Sequence, residues 1–306
     1  MKTLTQNPIF VVGYPRSGTT LLQSLLATQG DLVTFPETHL FTTFFEFNGG
    51  LELEVDFELA EKIMAEVSRR SQLSCYIEQL KTGDGQNGPE TVNVKDLFEL
   101  YLLKNFPELE MSGRRWLEKT PDHGLWAKKI YSLYPESKFV YIIRNPFHAI
   151  YSRTKYFVPD TDDLIGVLAD QWRYNIEKYE EFSSEYPDAS CLVRYEDLVK
   201  NPKKWIEEIC NFLNMEFVPN NLKEYSEKAS SIIRPFEYWK DDVIKQQIYV
   251  RNVDPKKIFS FQEIVKIQSI VFKYMERYQY KIEFPLLQRC KNLISRIMSV
   301  REVDAI

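Results

Sequence analysis

The chain is short of the residues that build metal centres and crosslinks. Among 306 residues there are three histidines and four cysteines, and Cys75, Cys191, Cys210 and Cys290 are scattered without metal-ligand spacing. Free thiols in a reducing compartment are the expectation, and no metal. Glycine is sparse, at 11 residues, and there is neither an internal repeat nor a low-complexity linker. No apolar run approaches the length of a membrane span. The short apolar run near the N-terminus lacks the form of a signal peptide. A soluble, cytoplasmic protein follows as the expectation. An excess of positive charge is also missing: the net charge is −5, which argues against nucleic acid as the general partner. A polyanionic substrate would need basic residues gathered locally.

What is present suits a substantial core, with 44% apolar and 14% aromatic residues. Apolar, β-rich runs fall at Ile9–Val12, Leu32–Phe35, Trp116–Leu117, Phe139–Ile143 and Cys191–Val193. Helical patterns at Leu21–Ala27, Asp122–Tyr134, Pro146–Phe157 and Leu164–Phe182 separate them. The alternation predicts an α/β fold, a central parallel sheet of about five strands flanked by crossover helices. Asn145-Pro146 is spelled as a helix N-cap and first position. One domain is expected over residues 1–306, with a helical C-terminal region. That region holds a basic, aromatic loop at Arg234–Arg251, a helix at Phe261–Tyr280 and an amphipathic basic stretch, Leu286–Val300, packed on the domain.

Residues 47–106 show no clear strand and are expected as a helical insertion with a loop at Thr82–Pro89. In its first part, from Glu46 through Glu66, Glu46, Glu52, Glu54, Asp56, Glu58, Glu61 and Glu66 stand against Lys62 alone. A solvated helix face accounts for such a run. The sharper expectation is that the insertion covers an acceptor site and favours a cationic acceptor.

The most informative segment is Gly13-Tyr14-Pro15-Arg16-Ser17-Gly18-Thr19-Thr20, a turn between the first strand and the first helix. Backbone N–H groups at a helix start suit an anion. Gly13 and Gly18 have the spacing of the nucleotide-hydrolase loop G-x-x-x-x-G-K-[ST], but Thr19 stands where that loop has its lysine. The loop's cation is Arg16. A second segment, Lys138 to Ser152, carries an apolar strand that ends in Arg144, where a nucleotide hydrolase places an Asp for magnesium. A guanidinium repels a metal ion and grips phosphate through paired donors. Ser152, eight positions on, can add a hydroxyl to the same anion. Two anion sites without magnesium ligands make a P-loop kinase or ATPase a poor fit.

These residues resemble the sulfotransferases that use 3′-phosphoadenosine-5′-phosphosulfate (PAPS) as donor and release PAP. Arg16, Ser17, Gly18, Thr19 and Thr20 match that family's 5′-phosphosulfate loop. Arg144-Asn145-Pro146 with Ser152 matches its 3′-phosphate motif, and Arg194-Tyr195-Glu196-Asp197-Leu198 a segment whose tyrosine helps hold the nucleotide. Ser230-Ser231-Ile232-Ile233-Arg234-Pro235 is similar to a late nucleotide-binding loop, with Ser231 and Arg234 the implied contacts. The spelling is closest to the tyrosylprotein enzymes and to bacterial relatives acting on small molecules or lipids. Those carry a catalytic Glu, matched by Glu37 in Pro36-Glu37-Thr38-His39, and a Lys before a Pro, matched by Lys119 in Glu118-Lys119-Thr120-Pro121. One departure is Tyr156, where the family has a basic residue; Lys155 or Arg153 would substitute. The secretory tyrosylprotein enzymes also have a membrane anchor, which is not expected here.

Sulfuryl transfer needs a base for the acceptor proton, cations for the departing oxygen, and in-line positioning. Arg16 and Lys119 suit the second task. Glu37, His39 and His123 are the contenders for the base. Intrinsic pKa favours a histidine, whereas the resemblance favours Glu37. The aromatics that could stack an adenine are Trp116, Tyr195, Phe236 and Trp239. The expected activity is sulfation of a hydroxyl, less readily an amine, of a small-molecule natural product. Sulfation of peptide tyrosine is the runner-up.

Overall fold

The computed structural model describes residues 4–5, 7–50, 52–74, 91–109, 114–156, 161–245, 248 and 253–285. The loop expected at 82–89, the stretch 286–300, Arg251, Cys75 and Cys290 lie outside these residues. The chain divides into two compact units, Met1–Arg144 with Glu177–Val250, and Asn145–Ile176 with Arg251–Ile306.

The first unit is built on a five-stranded sheet. In chain order its strands are β1 (Ile9–Val12), β2 (Leu32–Thr34), β5 (Arg115–Glu118), β6 (Lys138–Ile143) and β7 (Ser190–Arg194). They lie in the order β2-β5-β1-β6-β7, and every pairing is parallel. All five expected strands are present. Alternate residues of β1 serve opposite faces, as the period of a strand demands. Phe10 and Val12 join a core with Val33, Trp116, Phe139 and Tyr141. Ile9 and Val11 join a second with Leu117, Val140, Ile142 and Val193. Helices cover both faces, so β1 is wholly buried. Helix α1 (Thr19–Leu26) supplies Leu21, Leu22, Leu25 and Leu26 to the second core. Helix α2 (Leu40–Phe47) supplies Phe41, Phe44 and Phe45 to the first.

The expected insertion contains helices α3 (Phe57–Ser71) and α4 (Val94–Asn105). It also contains strands, which the sequence did not announce: β3 (Glu54–Asp56) pairs antiparallel with β4 (Thr91–Asn93). Only the central valine of each triplet is buried, too little alternation to mark a strand. Asp56 and Asn93 end these strands and cap the helices that follow, accepting from the Leu59 and Lys95 N–H groups. Much of the acidic run is paired. Glu66 accepts from Arg69 and Arg70, Glu46 from Arg70, and Glu58 from Lys62. Those carboxylates pair with cations of the insertion's own helix α3.

In the second unit Asn145 caps the helix Pro146–Thr154 by accepting from the Phe147 N–H at 3.0 Å. His148 Nε2 lies 2.9 Å from the Val253 carbonyl. Ser260 and Glu263 form a capping box at the start of the helix Phe261–Arg277. Among the described residues no helix is long and apolar enough to cross a membrane.

Candidate active site

Parallel strands deliver their C-terminal ends to one edge of a sheet, where open α/β folds bind ligands. Here that edge receives the turn after β1, Glu37 after β2, Lys119 after β5, Arg144 after β6 and Tyr195 after β7. The sheet places on one edge five segments that are far apart in the chain.

The turn after β1 is held by close contacts. Gly13 has φ +148°, and a Cβ there would lie 2.3 Å from the Ile142 carbonyl oxygen. Its N–H donates to the Pro121 carbonyl at 3.2 Å. Gly18 caps α1 with φ +99°, and a Cβ there would lie 2.5 Å from the Tyr195 ring. Arg16 carries φ +73°, a conformation that costs a non-glycine residue about 1–2 kcal/mol. Such strain is retained where the surroundings over-determine it. The fixing contact is Arg144, whose Nη1 donates to the Arg16 carbonyl at 3.0 Å. The Arg144 guanidinium lies over the Tyr195 ring, 4.4 Å from its centre. Arg16, Gly18, Arg144 and Tyr195 are thus one assembly. Ser17, Thr19 and Thr20 are buried, and the Ser17 hydroxyl is enclosed with no hydrogen-bond partner.

Beside them lies a charged cluster. Lys119 Nζ donates to Glu37 Oε1, and Lys240 Nζ donates to the same oxygen at 2.8 Å. Lys240 also pairs with Glu237. His39 Nε2 stands 3.4 Å from the other oxygen, Glu37 Oε2. Lys119 is only 2% exposed, so it is no ordinary surface lysine. Burial pushes its ammonium down to about 8, with Lys240 adding to the effect and Glu37 opposing it. Burial alone would raise the Glu37 carboxyl, but Lys119, Lys240 and His39 together hold it well below the usual carboxylate range. Burial lowers His39, outweighing Glu37.

A second, fully buried cluster supports the first. Glu118 Oε1 accepts from the Thr38 hydroxyl at 2.9 Å and the Thr120 hydroxyl at 2.6 Å. Its Oε2 accepts from the Thr120 N–H at 3.0 Å and lies 2.9 Å from His123 Nδ1. The Thr120 hydroxyl oxygen in turn accepts from the Thr38 and His39 N–H groups, each at 3.2 Å. Glu118 therefore ties the end of β5 to the start of α2, the two segments that carry Lys119 and Glu37. His123 has no exposed surface and its ring packs edge-on against Phe41. It sits on a 3-10 turn, Pro121–Trp126, where a continuous helix was expected.

The family model described as the sulfotransferase family matches residues 8–219. The chain belongs to the sulfotransferase family. A putative protein-tyrosine sulfotransferase of Caenorhabditis briggsae is 28% identical over 213 residues, covering 68% of this chain and 66% of that protein. The protein-tyrosine sulfotransferase of Drosophila melanogaster is 24% identical over 244 residues, 78% of this chain and 44% of that protein. The nodulation protein NoeE of Sinorhizobium fredii is 27% identical over 139 residues, 45% and 29% respectively. The matched region thus spans 29–66% of the length of these three relatives. Among solved structures, the sulfotransferase domain of a Synechococcus olefin synthase shares 18% identity and a TM-score of 0.53, covering 90% of this chain and 97% of that one. A mouse sulfotransferase complexed with PAP shares 14% and 0.51, covering 95% and 89%. At such identities the likeness is one of fold.

Other residues expected of a sulfotransferase site belong to neither cluster. Ser152 is on the helix Pro146–Thr154 of the second unit, as are Arg153 and, just beyond, Lys155 and the 43%-exposed Tyr156. Ser230 and Ser231 lie on a helix, Tyr225–Ile232, and not on a loop. The Ser231 hydroxyl donates back to the Lys228 carbonyl at 2.8 Å. Arg234 follows that helix, and its Nη1 donates to the Gln72 carbonyl at 3.0 Å. Trp116 is sealed in the core and is not available to stack an adenine. The residues that sequence reasoning missed are Lys240 and Glu237, since no motif contains them. Among the described residues no cluster of His, Cys, Asp and Glu is placed to hold a metal ion.

Proposed function

We propose that this sulfotransferase moves the sulfuryl group of PAPS to a hydroxyl of a small-molecule acceptor. The observation that carries the reading is the Glu37–Lys119 pair at the same sheet edge as the Arg16–Gly18 turn. It supplies a carboxylate base and a buried cation beside an anion cradle. The cradle suits a phosphosulfate on two counts. The buried Ser17 hydroxyl lacks a protein partner, and the approach of Tyr195 to Gly18 leaves no room for a side chain. Arg16, Ser17, Gly18, Thr19 and Thr20 would hold the 5′ end of the nucleotide. Arg144 would take its 3′-phosphate, a role that the sequence motif also implies for Ser152, and Tyr195 would steady Arg144.

When bound, PAPS supplies an electrophilic sulfur whose bond to a phosphate oxygen breaks, leaving negative charge on that oxygen. Arg16, Lys119 and the N–H groups from Ser17 to Thr20 are the donors for that charge. Glu37 takes the acceptor proton through Oε2, the oxygen not engaged by the lysines. His123 touches Glu118 and packs inside the protein, which fits a positioning role better than a proton-accepting one. Ser231 and Arg234 are engaged with the backbone and add little to this reading.

Peptide tyrosine is the second reading of the acceptor, favoured by the names of the relatives above. The deciding experiment is a mass-spectrometric screen in which PAPS is offered with phenols, sugars, lipids and tyrosine peptides. A mass gain of one sulfuryl group on a small hydroxyl compound is the expected result. Gain on peptides alone would replace the acceptor, and gain on nothing would overturn the activity.

A further inference from the structure

Lys240 belongs to no motif and is only 10% exposed at its side chain. It comes from a 3-10 turn, Tyr238–Lys240, some two hundred residues after Glu37 in the chain. A buried ammonium is costly unless it is paired, and this one holds two carboxylates, Glu37 and Glu237. Glu237 is fixed in turn, because its Oε2 accepts from the Arg234 N–H at 2.9 Å. The turn is therefore built to present a charged lysine to Glu37.

We propose that Lys240 is a working residue of the transfer centre, which shares one oxygen of Glu37 with Lys119, sets the proton affinity of that carboxylate and leaves its second oxygen for the acceptor. This rests on the sulfotransferase reading above. The charged groups facing Glu37 are Lys119 from the end of β5, Lys240 from the late turn and His39 from the start of α2. Glu237 stands behind Lys240, and Glu118 with His123 behind His39. Both lysines meet Oε1, so their positive charge acts on the carboxylate without covering Oε2. His39, 29% exposed, stands with its Nε2 3.4 Å from Oε2. Burial works against a charge on Lys240, yet Glu37 and Glu237 raise its ammonium above the ordinary value. It stays a cation throughout the range in which Lys119 begins to titrate. Lys119 is thus free to be drawn toward the donor while Lys240 keeps Glu37 ionised.

The test is carbon-13 NMR of the full chain labelled at glutamate carboxyl groups, with the Glu37 signal identified by its loss in Glu37→Gln. In the wild type this signal should remain that of a carboxylate below the ordinary glutamate midpoint. Lys240→Met should move its midpoint up by about one unit or more, a tenfold gain in proton affinity. Lys240→Arg should leave it in place. The acid limb of kcat should move in the same direction in Lys240→Met. Lys240→Gln is read in the same way if the methionine variant does not fold. An unmoved Glu37 midpoint in a folded neutral variant overturns the proposal. Sulfate transfer by the wild type is assayed alongside. Its absence would refute the sulfotransferase reading and leave the NMR result to stand or fall separately.

Discussion

The Arg144 guanidinium lies over the Tyr195 ring while its Nη1 holds the Arg16 carbonyl. One side chain thus joins the ends of β6 and β7 to the turn after β1. Its planar fork lets it stack and donate at once, which a lysine could not do.

Arg144→Ala is expected to weaken PAP binding about tenfold to a hundredfold, the worth of a charge-assisted hydrogen bond at about 1.5–3 kcal/mol. Arg144→Lys should recover little of it. Titration calorimetry with PAP in magnesium-free buffer is the measurement. Wild-type affinity in the alanine variant would remove the 3′-phosphate assignment.

Gly18→Ala should fold yet bind PAP poorly. The added methyl meets the Tyr195 ring at 2.5 Å in a backbone conformation with φ +99°, so either the ring or the turn must shift. Full PAP affinity in this variant would show that the turn is not the cradle.

Glu37→Gln keeps the shape of the site and removes the proposed base. A loss of about 10²–10⁴ in kcat is expected, the usual contribution of a general base, with PAP affinity retained. A parallel loss of binding would point to a charge-balancing role instead.

Lys119 gives a pH dependence of known sign. Its ammonium is pushed down to about 8 from the ordinary 10.5, so the cation is lost as pH rises through about 8. The profile of kcat/KM should fall on the alkaline side from there, because it reports the free enzyme. For stability the sign is opposite. Between about 8 and 10.5 the unfolded chain binds more protons at this lysine than the folded one, so its contribution to stability rises with pH over that window. A profile flat to pH 10, roughly the ordinary lysine range, would mean that Lys119 is not needed as a cation.

Glu118→Leu should cost about 3–5 kcal/mol, because it strips a buried imidazole and two threonine hydroxyls of their partner. Chemical denaturation reads that loss. A change under 1 kcal/mol, within the range of an exposed pair, would show that the two segments do not depend on this tie.

The five strands of the central sheet were legible because each is a compact apolar run between turn residues. The β3–β4 ribbon was not, since Glu54-Val55-Asp56 and Thr91-Val92-Asn93 carry one buried residue each. Gly13, Gly18 and Arg144 could be found from spelling, because so tight a turn needs particular residues at particular steps. Lys119 could be found but not its burial, which depends on how β5 meets α2. Lys240 could not be found at all. A lysine two hundred positions from its partner leaves no local pattern, and only the folded chain brings Glu237 and Lys240 to Glu37.

The strand order has a consequence for how the chain comes off the ribosome. Strand β2 has no bond to β1; β5 lies between them, and the Thr34 hydroxyl waits for a carbonyl 83 residues later. Until β5 is made, β2 has no neighbour in the sheet and the segment bearing Glu37 has nothing to lock against. A nascent chain stopped before residue 115 would therefore contain the turn after β1 in sequence but lack the paired strands that shape it. Closing so long a loop adds entropy cost only slowly with length. The insertion between β2 and β5 is therefore a place where the chain can gain or lose residues at little expense to the sheet.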